Sequence, residues 1–279
     1  MTTRLAVASA AGSASVCFKL THYPAALFVL TSCAMAMDMS PALRSEMAPT
    51  GKLRVGLNHG NFLLVTPGSK ADPRGVAPDV ARELARRLDV PIEFVAFDTA
   101  GGLADAVTTG VWDVAFLGAE PQRAGQIAFT AAYLEIPSTY VVPAGSPIRS
   151  IEEVDRAGVR IAVAAQSAYG LYLERSIKHA QLVMAKGLDG SFNLFVADKL
   201  DALAGLKPRL LMDVEKLPGA RLLDGQFYGV PQAVGTPKSR AEAAKFLRAF
   251  VEDVKASGFV ASAISRNGVN GVSVAPPAP

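Results

Sequence analysis

The side chains best placed to do chemistry are polar groups at the ends of predicted elements. Ser167 and Ala168 open a predicted helix, where a hydroxyl and the positive end of the helix dipole suit an anion. The same serine is equally explained as a plain N-cap. Asn58 follows the first predicted strand at its carboxyl end and offers both a donor and an acceptor; an asparagine in a turn also commonly bonds its own backbone. Phe62 and Tyr169 can form an apolar or stacking wall, or simply fill core. These groups suit the binding of a small molecule. Nothing in the chain assembles a nucleophile with a base: there is no G-x-S-x-G, no S-x-x-K and no Walker loop, and Pro67-Gly68-Ser69-Lys70 lacks the Gly-Lys-Ser/Thr order. The histidines His22, His59 and His179 lie far apart without metal-ligand spacing, and both cysteines, Cys17 and Cys33, precede Met35. No metal and no cofactor is expected.

The elements that must hold these residues are legible from periodicity. Lys52 to Leu57 alternates as a strand and ends in the turn-prone Asn58-His59-Gly60-Asn61. Pro78 and Asp79 open a helix on which Val80, Leu84 and Leu88 share a face and Glu83 pairs with Arg87. A strand from Pro91 to Asp98, a helix from Leu103 to Thr109 closed by Gly110, and an apolar strand from Val111 to Leu117 complete a βαβαβ unit. Ser138 to Val142 reads as a crossing strand, and Ser150-Ile151-Glu152-Glu153 as a capping box. A second series follows: strand Val159 to Ala164, helix Ala168 to Ile177, strand Gln181 to Ala185, helix Ser191 to Asp198 and strand Asp201 to Leu206. Phe227 to Val234 crosses back. Ser239-Arg240-Ala241-Glu242 caps a helix with Phe246, Phe250 and Val254 inward, and the Ala-Pro-Pro-Ala-Pro close suits an unpacked end. The expected α/β chain has two lobes, residues 50–140 with 228–270 and residues 141–227, followed by a tail, 271–279. Ligand is expected in the cleft beyond the strand carboxyl ends.

Composition agrees with such a globular chain. Of 279 residues half are hydrophobic and 19% charged, and 28 Lys plus Arg against 25 Asp plus Glu gives +3. The basic residues are scattered, which argues against nucleic acid as a partner. Residues 1–36 read as an export leader: Ala34-Met35-Ala36 offers small residues for signal peptidase, and Leu30-Thr31-Ser32-Cys33 instead looks like a lipobox that would anchor Cys33 in a membrane. A periplasmic protein follows from either. Translation from Met35, Met37 or Met39 would leave it cytoplasmic.

The ordered series Gly51-Lys52-Leu53-Arg54-Val55-Gly56, Gly75-Val76-Ala77-Pro78-Asp79, Gly110-Val111-Trp112-Asp113-Val114, Arg123 with Ile127-Ala128-Phe129-Thr130 and Tyr133, Val163-Ala164-Ala165-Gln166-Ser167, and Leu200-Asp201-Ala202 resembles bacterial family 3 extracellular solute-binding proteins over nearly all of residues 51–268. The resemblance implies a two-lobed periplasmic-binding-protein-like fold of type II with two crossing hinge strands. It also implies a monomer that closes on an amino acid or organic acid and is read by the permease of an ABC importer. It makes Arg123 the holder of a ligand carboxylate, and a guanidinium does offer two parallel donors that fit one; a surface pair with Glu120 is the plainer reading. Gly118 and Ala119 lack bulky side chains, so their N–H groups can approach the same carboxylate, or they form a tight turn.

Departures from the family bear on the ligand. Where amino-acid receptors of the family place an Asp for the ammonium group, counted from Asp201-Ala202, this chain has Leu206, so the ligand lacks a free amine unless Glu120 or Asp98 takes over. Lys207 next to it suggests a second anionic group on the ligand. The stretch from Asp113 to Arg123 is shorter than in typical members, and the aromatic region after strand one is reduced to Asn61-Phe62. Two other readings share the fold: a cyclohexadienyl dehydratase-like enzyme with Glu120 or Glu174 as general acid, and a sensor that presents its closed form to a membrane receptor.

Overall fold

A computed structural model of the chain describes residues 40–68 and 70–279. The expected leader, with Cys17 and Cys33, lies outside the described residues. Ser40 caps a short helix α1 (Pro41–Met47) that sequence periodicity did not reveal, because only Met47 is fully buried on it. Strand β1 (Leu53–Asn58) leads to helix α2 (Val76–Leu88), whose Val80, Leu84 and Leu88 are buried as their spacing requires, while Glu83 and Arg87 pair at 2.7 Å. Hydrogen bonds from Arg86, then from Arg87, hold the Glu83 carboxyl down at about 2 against desolvation. Strand β2 (Ile92–Phe97), helix α3 (Ala100–Asp105, capped by Thr99) with a further 3₁₀ turn ended by Gly110, and strand β3 (Val114–Gly118) follow.

The long strand β4 (Ile127–Val142) begins eleven residues earlier than Ser138, where alternation alone placed it. Bulges near Ala132 disturb its pairing, and the Thr130 hydroxyl there accepts the Val234 N–H. After it come β5 (Arg160–Ala164), α4 (Ala168–Ser176), β6 (Gln181–Ala185), α5 (Gly187–Ala197) and β7 (Ala202–Leu206). Helix α6 (Lys207–Val214), which the sequence reading passed over, precedes β8 (Arg221–Leu222) and β9 (Tyr228–Pro237). Helices α7 (Ala241–Ala256) and α8 (Phe259–Arg266) and strand β10 (Ser273–Val274) close the chain.

Three expectations are corrected. Ser150 does not cap a helix: Ile151–Glu153 is a single 3₁₀ turn, and Glu153 instead accepts the Arg149 N–H at 2.7 Å. Ser239 does not cap α7; its first turn is satisfied from a distant element, by Glu46 of α1, which accepts the Ala243 N–H at 2.8 Å. The tail is held in part, since β10 pairs with β4, Ala275 is buried and Lys255 donates to the Pro276 carbonyl, while residues 276–279 stay exposed as expected.

Among the described residues the strands join in one sheet, ordered β2-β1-β3-β9-β4-β7-β5-β6, with β8 and β10 also on β4. Each end is a parallel triad, and β4 and β9 run antiparallel between the two, so β9 pairs with β3 of one wing while β4 pairs with β7 of the other. The first wing is pinned by Asp113, which is fully buried just before β3. Its carboxylate takes the Arg54 side chain in bidentate fashion (2.9 and 2.7 Å), the Arg54 N–H at 3.0 Å and Arg240 at 2.7 Å. Arg240 also donates to the Glu46 carbonyl, and the Asp113 carbonyl accepts from Thr236 of β9. Removing this anion leaves two arginines facing each other without it, so Asp113→Ala is expected to lower the unfolding free energy by about 3 to 5 kcal/mol. A urea denaturation midpoint equal to that of the parent protein would show that the node does not stabilise the fold.

Candidate functional site

The carboxyl ends of β1 and β3, the N-terminus of α4 and the end of β7 converge on a cavity of about 60 Å³. That is room for on the order of five water-sized groups. Its polar lining is Asn58, Asn61, Ser167, Tyr169 and Gln232; its apolar lining includes Leu64, Phe116, Ala168, Leu188 and Leu206. Near Gly60 and Leu188 it meets a wider space of about 590 Å³ that carries the charges Asp98, Lys186, Asp189, Arg209 and Lys216 beside His59, whose imidazole pKa is pushed down by burial.

The candidates from sequence divide. Asn58, Gly118, Ser167, Ala168 and Tyr169 line the cavity. The Asn58 Oδ1 accepts the Gly60 N–H at 3.0 Å, a turn contact that commits its oxygen to the backbone. Ser167 serves as the N-cap on both sides of its hydroxyl, accepting from the Gly170 N–H and donating to the Ala164 carbonyl, so that oxygen belongs to the helix start. Tyr169 is buried at 2% exposure, its hydroxyl makes no full hydrogen bond among the described residues, and burial pushes the phenol up to about 12 against the nearby Ser167, Ala164 and Ser191. Ala119 is not available: its N–H donates to the Pro231 carbonyl at 2.9 Å. Phe62 lies in the wider space beneath the Arg209 guanidinium, 5.9 Å from the ring centre. Lys207 is the first residue of α6 and lines neither space.

Arg123 sits directly behind the cavity wall. It donates to the Gly118 carbonyl at 2.6 Å and to the Gln166 carbonyl at 2.7 Å, joining the β3 wing to the loop before α4. Gln166 reaches this position through a left-handed backbone, φ 53°, and its side chain covers Gly101 of α3. Burial lowers the Arg123 guanidinium to about 10, opposed by Glu120, so it remains a cation at neutral pH. It does not pair with Glu120. That carboxylate, fully buried, accepts the Tyr228 hydroxyl at 2.7 Å and faces Arg175 of α4 at 2.8 Å. Arg175 lies over Tyr172, which stacks on Tyr228 at 4.3 Å and 9°, and Gln122 donates to the Leu171 carbonyl. Burial, then the Glu120 contact, raises the Tyr228 phenol. A carbon added at Gly118 would lie 2.6 Å from the Ala168 methyl, so the two wings touch at the cavity wall.

Gln232 and Asn61 were missed by sequence reasoning, as were Gln166, Arg175, Tyr172 and Tyr228. Gln232 left a signal, a polar residue amid the apolar positions of a crossing strand. The others could be found only through contacts between segments distant in sequence.

The family of bacterial extracellular solute-binding proteins, family 3, matches residues 53–267. No curated protein sequence matches. Among solved structures the chain is similar to the solute receptor for L-cysteine of Neisseria gonorrhoeae, at 18% identity and TM-score 0.68, covering 82% of this chain and 95% of that one. It is similar also to a binding component of an ABC transporter from Wolinella succinogenes complexed with lysine, at 20% identity and TM-score 0.67, covering 79% and 97%. A third is an ancestral amino acid-binding protein, a precursor of cyclohexadienyl dehydratase, at 21% identity and TM-score 0.66, covering 80% and 98%. These likenesses carry the fold, a two-lobed α/β architecture of the type II periplasmic-binding-protein kind with two crossing strands. With its parallel triads, crossing strands and interlobe cavity in the matched span, the chain belongs to the bacterial extracellular solute-binding proteins of family 3.

Proposed function

We propose that this solute-binding protein captures a small carboxylate-bearing molecule between its lobes, residues 50–140 with 228–270 and residues 141–227, and that an ABC permease reads the closed form. The observation that carries the reading is the cavity itself: Asn58, Gly118 and Gln232 from one side and Ser167, Tyr169 and Leu206 from the other enclose it at the strand ends. Arg123 is the carboxylate anchor in this reading. Its Gln166 contact is the one an incoming carboxylate replaces as the lobes part, since a charged acceptor outcompetes a carbonyl for a guanidinium. Crossing strands β4 and β9 act as the hinge. The family is one of extracellular solute-binding proteins, and its structural neighbours include a receptor for L-cysteine and an ABC-transporter binding component complexed with lysine, which supports a permease partner and a periplasmic site of action. Among the described residues no helix is long and apolar enough to cross a membrane.

A binder is favoured over a dehydratase-like enzyme by the state of the candidate acids. Glu120 is held by Tyr228 and Arg175, and Glu174 is exposed on α4, outside both cavities.

Two substitutions test this account. Arg123→Ala should weaken carboxylate binding by about 2 kcal/mol or more in isothermal titration, with far-ultraviolet circular dichroism unchanged; undiminished affinity would refute the anchor. Gly118→Ala places a methyl against Ala168 and should oppose closure, lowering affinity by about tenfold to a hundredfold. Ala168→Gly in the same chain should restore it, and failure of that rescue would locate the effect elsewhere than at the lobe contact.

A further inference from the structure

Among the described residues no acidic side chain lines the cavity. Asp105 acts on the Arg123 charge from outside the lining, and Asp189 of the wider space holds Arg209 at 2.8 Å. Glu120 is enclosed by Tyr228 and Arg175, and Asp98, mostly exposed with Lys70 at 3.0 Å, lines an adjoining space that shares Asn58, Ser167 and Leu188 with the cavity but does not line the cavity itself. At the position where the family resemblance calls for an aspartate, Leu206 ends β7, is 5% exposed and faces the cavity. An ammonium group placed there would lose its water and meet hydrocarbon.

The same space is well supplied for an anion. Arg123 lies behind Gly118 as a buried cation bonded only to carbonyls, with no carboxylate in ion-pair distance among the described residues. The nine-residue helix α4 directs its N-terminus at the cavity. Two buried polar groups stand in the wall: the Asn61 side-chain oxygen, without a partner among the described residues, and the Tyr169 hydroxyl, which makes no full hydrogen bond there but has Ser167, Ala164 and Ser191 as polar neighbours, at 8% and 2% residue exposure. The hydroxyl can turn from those neighbours to donate into the cavity, and the Asn61 amide, placed with its oxygen as acceptor, presents a donor if turned over.

We infer that the ligand is a short organic acid without an α-ammonium group, its carboxylate towards Arg123 and Tyr169 and its substituent against Leu206. This rests on the reading of the cleft as a carboxylate site and narrows it to acids that amino-acid receptors reject. Discrimination arises because an amino acid would bring a charge that no carboxylate of the described wall compensates, whereas the deaminated acid brings only the charge that Arg123 and α4 favour.

The test uses the full chain and pairs of compounds that differ in the amine alone: propionate with L-alanine, 3-methylbutanoate with L-valine, and glutarate with L-glutamate. Thermal shift identifies responsive pairs and isothermal titration measures them. The expected result is that at least one deaminated acid raises the melting temperature and binds about tenfold or more tightly than its amino acid. An amino acid that binds as well as its partner would overturn the inference and leave the solute-binding reading standing. Silence from every pair would remove the carboxylate reading together with it. Leu206→Asp should reverse the preference within a responsive pair, while Leu206→Asn, uncharged and close in size, should keep it. Retention of the acid preference by a folded Leu206→Asp protein would count against Leu206 as the discriminating residue.

Discussion

The Asp113 carboxylate is the constraint on which the first lobe depends. A buried anion is costly unless its lone pairs are filled, and here Arg54 supplies three donors and Arg240 a fourth. Both arginine side chains keep partial contact with solvent, at 19% and 18% exposure, which limits the desolvation the cluster must offset. Because the donors come from β1 and from the residue before α7, and Thr236 of β9 bonds the Asp113 carbonyl, one residue fixes three strands and a helix. Consequently β3 has a single register against β1 and β9, and Gly118 at its far end falls opposite Gln232. The site inherits its geometry from that register.

Across the cleft, two buried charges only a few residues apart are treated differently. Glu120 has a cation and a phenol as partners, so its charge is compensated within the protein. Arg123 has carbonyl dipoles, which satisfy its donors but do not neutralise it. The difference gives the two groups different roles. The Glu120 cluster holds α4 against the loop after β3 through ionic and stacking contacts, whereas Arg123 bridges Gly118 to Gln166 through neutral carbonyls.

The elements of the fold were largely legible because local forces decide them. Apolar spacing placed Val80, Leu84 and Leu88 on one helix face, a serine at the correct offset capped α4, and the strand Gln181–Ala185 was bounded by its own pattern. Where local signals failed, a distant partner had taken over. The starts of α7 and of the 3₁₀ turn at Ile151 looked like capping boxes, yet Glu46 and Glu153 satisfy the backbone there. Strand β4 extends far beyond its alternating segment because β9 supplies the pairing, and the proline-rich end is ordered by β4 and α7.

For the site, the sequence by itself determined which residue types were present: an arginine after β3, small residues at Gly118 and Ala168, a capping serine, and a leucine where the family resemblance calls for an acid. The tertiary structure decided what those residues do. It turned Ser167 into a closed cap, took the Ala119 N–H for β9, left Lys207 outside the cavities and set Arg123 between two carbonyls. The physical reason is that hydrogen-bonding capacity belongs to a side chain, but whether it is already satisfied depends on neighbours brought together from opposite lobes.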